Sequence, residues 1–332
     1  MNDLTSEQRA ILGAVLLQAN VAHADIARCL GIREHTVRRA LDLFFERRIV
    51  LGRHVFVDPY ALGLTYYVVL IGLPGSTDKA RKKFIEILKN AEQVTTVTQV
   101  GGDSQIEVGL YATTQQHLRS FFDHLIGSFP GTIEIRNWYV MVEQEYSGLL
   151  EPPATLENKP VLRFSAAAKR TPIDGVDHKI LYALCNLTYR SLQEVSRALK
   201  IPASTLAYRI GALERAGIIV GHYYMVDVTA FRDLPMSLRV TSKILSDAER
   251  TKVRAYCRNH PRIAWVSFFH GAHSMEIFIR SSSYAESTAV VQEFTNEFST
   301  LVSSSTLVPQ LDCPKYTLYP FKTYQPFFHS AP

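Results

Sequence analysis

The feature of this 332-residue chain that most constrains its fold is an internal duplication. Residues 32–52 align without a gap with residues 201–221, at an offset of 169 residues. The same offset later pairs Gly102 with Gly271. An offset that persists over such a length indicates two copies of one unit, each about half of the chain. The chain is therefore expected to fold as a tandem pair of similar units.

The first part of each copy has helical periodicity. Before Gly52, apolar residues recur at helical spacing in three segments, and the first segment opens with a capping box, Thr5-x-x-Gln8. The segment RHVFVDP that follows Gly52 alternates as a strand does. Copy two repeats this order and ends in HYYMVDV. Three helices followed by such a strand predict a helix-turn-helix with a hairpin wing.

The second part of each copy follows the order β-α-β-β-α-β, which is typical of a ferredoxin-like domain. We therefore predict an α+β fold, with two copies of a winged helix-turn-helix followed by a ferredoxin-like βαββαβ domain. A tail rich in aromatic residues is expected to pack on the sheet or on a partner subunit. The predicted boundaries are winged helix-turn-helix 1 at 1–60, ferredoxin-like domain 1 at 61–146, a proline-rich linker at 147–171, winged helix-turn-helix 2 at 172–230, ferredoxin-like domain 2 at 231–320 and the tail at 321–332.

Charge and cysteine content limit the functional classes. The formal net charge of +5 permits a polyanionic partner without requiring one. The four cysteines form no C-x-x-C pair, which favours free thiols in a reducing cytoplasm. The polar N-terminus carries acids, unlike a signal peptide, and no window reaches the ~18 apolar residues of a membrane span. A cytoplasmic protein without membrane association is expected.

The third helix of each copy is the expected contact with double-stranded DNA, because a winged helix-turn-helix inserts the N-terminal half of that helix into the major groove. Arginines there can pair with guanine or hold phosphates, and hydroxyls bond phosphates or bases. A trihelical protein-interaction module with solvated arginines is the competing interpretation. The predicted DNA-contacting residues, wings included, are Arg33, His35, Thr36, Arg38, Arg39, Arg53 and His54 in copy one, and Ser204, Thr205, Tyr208, Arg209 and His222 in copy two.

Copy two carries the most specific motifs. It reads I-D-x-x-D-x-x-I-L over 173–181 and I-P-A-S-T-L-A-Y-R-I-x-x-L-E-x-x-G-I-I over 201–219. These motifs resemble the N-terminal domain of the Lrp/AsnC family of bacterial and archaeal transcription regulators, and the ferredoxin-like half is similar to that family's effector-binding domain. The resemblance covers nearly the whole chain, twice, outside the linker and tail. It implies a sequence-specific DNA-binding regulator with a small-molecule effector such as an amino acid.

The hairpin turns of the ferredoxin-like domains are the expected effector sites, because the family's hairpin carries a glycine-acid turn that Gly102-Asp103 matches. Simple hairpin geometry is an equal alternative, since glycine is needed wherever φ is positive. Family members dimerise through these domains, so the tandem chain is expected to form that dimer within itself; a further homo-oligomer stays open. The predicted effector-binding residues are Gly101, Gly102, Asp103, His270, Gly271 and His273.

Departures from the family pattern leave two other functions open. Arg48 stands where copy two has Gly217. The sirohaem decarboxylases resemble the same two-part fold, and His270 and His273 flank the turn where such an enzyme would need them. No third ligand accompanies this H-x-x-H spacing and no catalytic motif is present, so we predict no metal, cofactor or catalytic residue. Acidic residues on the third helix of copy one keep a ligand-sensing assembly module without DNA binding as the other alternative.

Overall fold

The computed structural model describes residues 4–150, 152–156, 159–227, 231, 233–271 and 273–325. The α+β class and the order of elements predicted from the sequence are confirmed. Copy one contains α1 (Ser6–Val15), α2 (His23–Leu30), α3 (Glu34–Glu46), β1 (Val50–Val57), a 3-10 turn (Tyr60–Leu62), β2 (Thr65–Gly72), α4 (Asp78–Asn90), β3 (Val94–Val100), β4 (Ile106–Ala112), α5 (Gln115–Ser128) and β5 (Glu134–Tyr146). After β6 (Leu162–Ser165), copy two contains α6 (Gly175–Asn186), α7 (Leu192–Leu199), α8 (Ala203–Arg215), β7 (Ile219–Val226), β8 (Leu234–Ser242), α9 (Asp247–Asn259), β9 (Ile263–Gly271), β10 (Met275–Ser281), α10 (Tyr284–Glu297) and β11 (Val302–Tyr316).

Short polar side chains begin the first helix of each helix-turn-helix unit. The capping box predicted at Thr5 and Gln8 forms at the start of α1. Asp174 begins α6 by accepting bonds from the N–H groups of Val176 and Asp177, and the side chain of Asp177 completes a second capping box. These caps satisfy N–H groups that have no partner inside the helix. The local sequence therefore determines where each helix-turn-helix begins.

The two ferredoxin-like halves form one closed sheet. Copy one contributes the strands β3-β4-β2-β5 and copy two contributes β9-β10-β8-β11. The halves join edge to edge at two antiparallel seams, β3 with β11 and β5 with β9. Pairing of β2 with both β4 and β5 completes the circuit, and β6 adds to β5 on the outside of that circuit. Closure leaves neither half with an open edge at the seams, where an unpaired strand would invite aggregation.

The closed sheet has two faces with different contents. Helices α4 and α5 cover the outer face of copy one, where Val108 of β4 packs with Phe84 and Phe121. Helices α9 and α10 cover copy two, where Ile277 of β10 packs with Phe294. Because side chains alternate along a strand, the residues between these apolar positions point to the inner face. That inner face holds both aromatic and charged side chains.

The wings of the two helix-turn-helix units pair with each other. The structure places β1 antiparallel to β7, with His54 opposite Tyr223 at the centre of the pairing. Each wing is thus one strand of a ribbon shared by both copies, whereas the sequence suggested a hairpin within each copy. Buried residues of both units, among them Phe44, Val55 and Ile210, belong to one continuous core. The two helix-turn-helix units are therefore held against each other.

The predicted linker and the described part of the tail both pack on the rest of the chain. Within 147–171, β6 pairs with β5 and buries Phe164. Just before the tail, Tyr319 is fully buried and its hydroxyl lies 3.0 Å from Nδ1 of His178 on α6. Phe321 stacks on Tyr111 of β4. The tail thus lies between copy one and α6 of copy two, while residues 326–332 lie outside the described part of the chain.

Two further expectations concerned the pairing of the cysteines and the presence of a membrane-spanning helix. The four cysteines are unpaired, and Cys185 and Cys257 are buried. Burial raises the pKa of both of these thiols. None of the helices in the described ranges combines the length and hydropathy that a membrane-spanning helix requires.

Buried ion pairs join the copies at the β5–β9 seam. Glu145 of β5 is almost completely buried and binds Arg258 of α9 through two bonds, Nε–Oε1 at 2.9 Å and Nη2–Oε2 at 2.8 Å. Glu143, two residues earlier, accepts a bond of 2.7 Å from Nη1 of Arg254, also on α9. Arg163 of β6 adds a contact of 2.8 Å to the same carboxylate. Copy one supplies the carboxylates of this seam and α9 of copy two supplies two of the arginines.

Replacing Arg258 with alanine is expected to lower the free energy of unfolding by about 2–4 kcal/mol, because the Glu145 carboxylate would stay buried without its counter-ion. Urea unfolding of the full chain measures the change. Arg28→Ala is the control, since Arg28 and Asp25 form an exposed pair that should contribute less than about 1 kcal/mol. Similar losses in the two variants would contradict this role of Arg258.

Candidate nucleic-acid interface and ligand turns

Helix α3 presents a basic surface at its N-terminal half. Val37 and Phe44 are buried against the core, so the opposite side of the helix faces solvent. Thr36 is half-buried at the border of that surface. Arg38 is paired with Glu34 at 2.8 Å, but both side chains are largely exposed, and such pairs are weak enough to exchange for a phosphate. The exposed side chains that the structure brings together here are Arg33, His35, Arg38 and Arg39.

Helix α8 presents a different surface. Ser204 and Thr205 are exposed near its start, and Tyr208 is 70% exposed. Arg209 turns away from these residues: its Nη1 lies 2.6 Å from Oδ2 of Asp174 and 3.1 Å from Oδ1 of Asp177. The same two carboxylates form the capping box of α6. Arg209 thus links α8 to α6, and it is not free to reach DNA as the sequence suggested.

The wing residues also differ from the prediction. His222 is buried, with Nε2 at 2.6 Å from Oε1 of Glu214, and His54 is buried with Nδ1 at 3.1 Å from the carbonyl oxygen of Cys185. Burial lowers the pKa of both imidazoles, so they are neutral at neutral pH. Neither ring is available to DNA, because β1 and β7 pair into a shared ribbon. Arg53 alone of these wing residues keeps part of its side chain exposed.

The turns before and after the third helix have the same backbone conformation in both copies, although the residues differ. Helix α2 ends at Gly31 with φ of 66°, and its counterpart Lys200 has φ of 54°. After α3, Arg48 has φ of 56°, and its counterpart Gly217 has φ of 70°. All four residues are therefore left-handed, a conformation that glycine adopts without the steric cost that a side chain adds. The departure noted at Arg48 leaves the helix-turn-helix geometry unchanged.

The β3–β4 turn, which we call the first ligand turn after the effector site predicted there, lies against copy two. The N–H of Gly101 donates to the carbonyl oxygen of Pro309 at 2.9 Å, and a Cβ on Gly101 would come within 2.6 Å of the Pro309 ring. Gly102 has φ of 88° at the exposed tip. Seam packing and hairpin geometry thus account for both glycines. Asp103 remains as an exposed carboxylate beside them.

The second ligand turn, between β9 and β10, lies against copy one. Gly271 has φ of 141°, and a Cβ there would approach Cβ of Tyr139 to 2.6 Å. His270 is exposed, whereas the ring of His273 lies 4.4 Å from the Tyr139 ring. Burial, with nearby Arg239, lowers the pKa of His273 to about 4. The two histidines of this turn therefore face different surroundings, and Ala272 between them lies outside the described residues.

A group that the sequence interpretation overlooked lies on the inner face of the closed sheet. Glu107 of β4, Arg239 of β8 and Glu276 of β10 form what we call the central ion cluster. The available signal was that Glu107 and Glu276 occupy equivalent positions in the two copies, in the middle of apolar strands. In the described ranges, no group of three or more His, Cys, Asp or Glu side chains could hold a metal ion.

A groove of about 630 Å³ lies beside the second helix-turn-helix. It separates the N-terminus of α6 from tail residues 322–324, and Asp174, His178, Lys179 and Tyr324 contribute to its walls. Neither ligand turn lines this groove. The predicted effector residues lie instead at the two seams of the closed sheet, where Gly101 contacts Pro309 and Gly271 contacts Tyr139.

Comparison with known proteins agrees with these features. The family model described as winged helix-turn-helix DNA-binding matches residues 173–220. The HTH-type transcriptional regulator LrpA of Pyrococcus abyssi is 26% identical over 129 residues, which is 38% of this chain and 89% of that protein. LrpA of Pyrococcus horikoshii is 25% identical over 134 residues, 40% of this chain and 92% of that protein. The resemblance of this chain to Lrp/AsnC-type regulators is confirmed.

Comparison of the fold as a whole gives a second similarity. The siroheme decarboxylase NirDL, solved in co-complex with an iron-uroporphyrin III analogue, has a TM-score of 0.60 and 11% identity, and the match covers 95% of this chain and 93% of that one. At this identity the likeness concerns the fold. It extends across both copies, whereas the LrpA proteins match a length close to one copy. The α+β fold of two winged helix-turn-helix and ferredoxin-like units is thus confirmed over the 95% of this chain that the match covers.

The different roles of Arg209 and Arg39 can be separated by substitution. Arg209→Ala is expected to lower the free energy of unfolding by about 1 kcal/mol, because the link between α8 and α6 is lost. Arg39→Ala, on an exposed surface, is expected to change it by less than about 0.5 kcal/mol. Thermal unfolding of both full-length variants checks this. Unchanged stability in Arg209→Ala, together with a loss of DNA binding equal to that of Arg39→Ala, would contradict the linking role.

Proposed function

We propose that this chain is a sequence-specific, DNA-binding transcription regulator in which the two copies form a dimer-like unit within one chain. The observation that supports this most is the row of exposed basic side chains on the N-terminal half of α3, the part of a winged helix-turn-helix that enters the major groove. The similarity to LrpA regulators supports the same function. The cytoplasmic location expected from the sequence accompanies this proposal.

The two DNA-reading surfaces differ in chemistry. The α3 surface can hold phosphates and pair with guanine through Arg38 and Arg39. The α8 surface offers hydroxyls and the exposed ring of Tyr208, since Arg209 is bound to Asp174 and Asp177. The β1–β7 ribbon and the common core hold the two surfaces at a fixed separation. The proposed target is therefore an asymmetric pair of half-sites.

The proposed effector is a small metabolite of the amino-acid kind, bound at the two turns. Each turn contacts the opposite copy: Gly101 bonds to Pro309, and Gly271 packs on Tyr139. A molecule held at either turn would thus touch both halves of the closed sheet. Asp103 supplies a carboxylate for an amino group at the first turn, while His270 is the exposed polar group of the second. These roles of Asp103 and His270 are part of the proposal.

DNA binding is tested by titrating the full chain onto the DNA upstream of its own gene, across a salt series, against a scrambled fragment of equal length. A preference of about 10³-fold or more, with affinity that falls steeply as salt rises, is expected. Arg39→Ala should weaken binding or reduce the salt dependence, whereas Arg119→Ala, on exposed α5, should leave both unchanged. Absence of binding to either fragment at low salt would instead favour an assembly module that senses a ligand.

The asymmetric target is tested separately by exchanging the order of the two half-sites in a bound probe while keeping their spacing. Because α3 and α8 differ in charge, the exchanged probe is expected to bind more weakly, by about 5- to 150-fold for each lost base contact, which is worth roughly 1–3 kcal/mol. A fluorescence titration of both probes measures the ratio. Equal affinities would show that the two surfaces are interchangeable.

A sirohaem-decarboxylase-like enzyme is the second candidate, because the NirDL fold matches along both copies. The histidines expected to serve such an enzyme are separated here: His270 is exposed, and His273 packs on Tyr139. Incubation of the purified chain with sirohaem, followed by absorption spectroscopy and mass spectrometry, distinguishes the functions. The regulator predicts neither a stable porphyrin-like band nor loss of carboxyl groups, and either result would support the enzyme.

A further inference from the structure

The central ion cluster bridges the two copies inside the closed sheet. Arg239 of copy two binds Glu107 of copy one through Nη2, and its Nε lies 3.8 Å from Oε2 of Glu276. The exposed fractions of the side chains are 10% for Arg239, 15% for Glu107 and 7% for Glu276. Two carboxylates thus share one guanidinium, in surroundings from which water is largely excluded.

The strands around the cluster add polar groups that carry no compensating positive charge. Oγ of Ser237 on β8 donates to Oε1 of Glu276 at 2.5 Å, and Nε2 of Gln310 on β11 donates to the same hydroxyl at 2.8 Å. Tyr139 of β5 and His273 of the β9–β10 turn lie within electrostatic range of the cluster. Tyr66 of β2 is a further titratable neighbour.

Three buried polar atoms in this region have no hydrogen-bond partner among the described residues. They are Oη of Tyr139, Nε of Arg239 and Nε2 of His273. His273 does not supply a second cation at neutral pH, because burial and Arg239 lower its pKa to about 4. The site therefore contains one carboxylate more than its positive charge can balance.

Burial of an unbalanced charge is costly, and a carboxylate avoids that cost by taking up a proton. Burial and the neighbouring Glu107 raise the pKa of Glu276 to about 7, although Arg239 and Ser237 act in the opposite direction. Burial also opposes the charge of Arg239, but the two carboxylates raise its pKa and keep it protonated. The proton therefore belongs to the carboxylate pair.

We propose that Glu107 and Glu276 hold one exchangeable proton inside the closed sheet, and that this proton links the joining of the two copies to pH. The contact between Arg239 and Glu107, which joins the two copies, therefore depends on pH. It does not depend on DNA binding, so it can be tested whether or not the proposed function is correct.

The direction of the effect follows from the pKa of Glu276 in the two states. A carboxyl group with an ordinary pKa near 4.5 in the unfolded chain and about 7 in the fold is protonated in both states below pH 4.5. Between these values the fold holds a proton that the unfolded chain has released, so its stability falls as pH rises, and the loss is complete above pH 7. The fold is therefore expected to be more stable toward unfolding in mildly acid than in mildly alkaline solution.

The test compares thermal unfolding of the full chain with that of Glu276→Gln at pH values from 5 to 8.5. Glutamine keeps an acceptor for Ser237 but does not titrate, so the Tm of the variant relative to the native chain should rise with pH, by roughly 3 °C or more in total. The comparison removes the contributions of other titrating groups, including buried His54, His178 and His222. A Tm difference that does not change with pH would overturn the proposal.

Two controls separate the protonation of Glu276 from other effects of pH on the chain. Glu86→Gln alters an exposed carboxylate on α4 and should follow the native pH dependence. Infrared spectroscopy of the native chain at pH 6 should show the carbonyl absorption of buried, protonated carboxylic acids. Asp58 contributes to it, because burial raises the pKa of that carboxyl to about 6, and Glu276→Gln should lose the part of the absorption that belongs to Glu276. Absence of this absorption from the native chain would overturn the proposal even if the variant did not fold.

Discussion

Closure of the eight strands at the β3–β11 and β5–β9 seams is the constraint on which the rest of the structure depends. An isolated ferredoxin-like half would leave β3 and β5 as open edges, and each copy completes the other instead. β5 is 13 residues long because it must pair with β2 of its own copy and then with β9 of the other. Once the halves are joined in this way, β1 and β7 meet and bring the two helix-turn-helix units together.

Much of this architecture could be predicted from the sequence, because it depends on local patterns. Periodicity identified the helices, the duplication identified the two copies, and Thr5 identified a helix start. The partner of a strand is not a local property. RHVFVDP and HYYMVDV have the alternation of wing strands, but nothing in that alternation says that each pairs with the other. Burial of His222 follows from that pairing, so its assignment to the DNA surface was wrong.

The same holds for the functional surfaces. Features that depend on neighbouring residues could be predicted, and features that depend on distant residues could not. Exposure of Arg38 and Arg39 follows from the periodicity of α3, in which Val37 and Phe44 face the core. Arg209 has the same helical context, but two carboxylates 35 and 32 positions earlier bind it. The central ion cluster was equally hidden, because its members come from three strands of both copies and meet only when the sheet closes.

The position of the tail has a consequence for how the chain reaches this state during synthesis. Tyr319 and Phe321 pack between β4 of copy one and α6 of copy two, and Thr323 donates to Glu92 of copy one at 3.0 Å. The partner of β3 in the sheet is β11, the last strand along the chain. Copy one therefore leaves the ribosome long before the partner of its β3 edge has been made. Until β11 has been made, this edge is an unpaired strand and a template for wrong pairing.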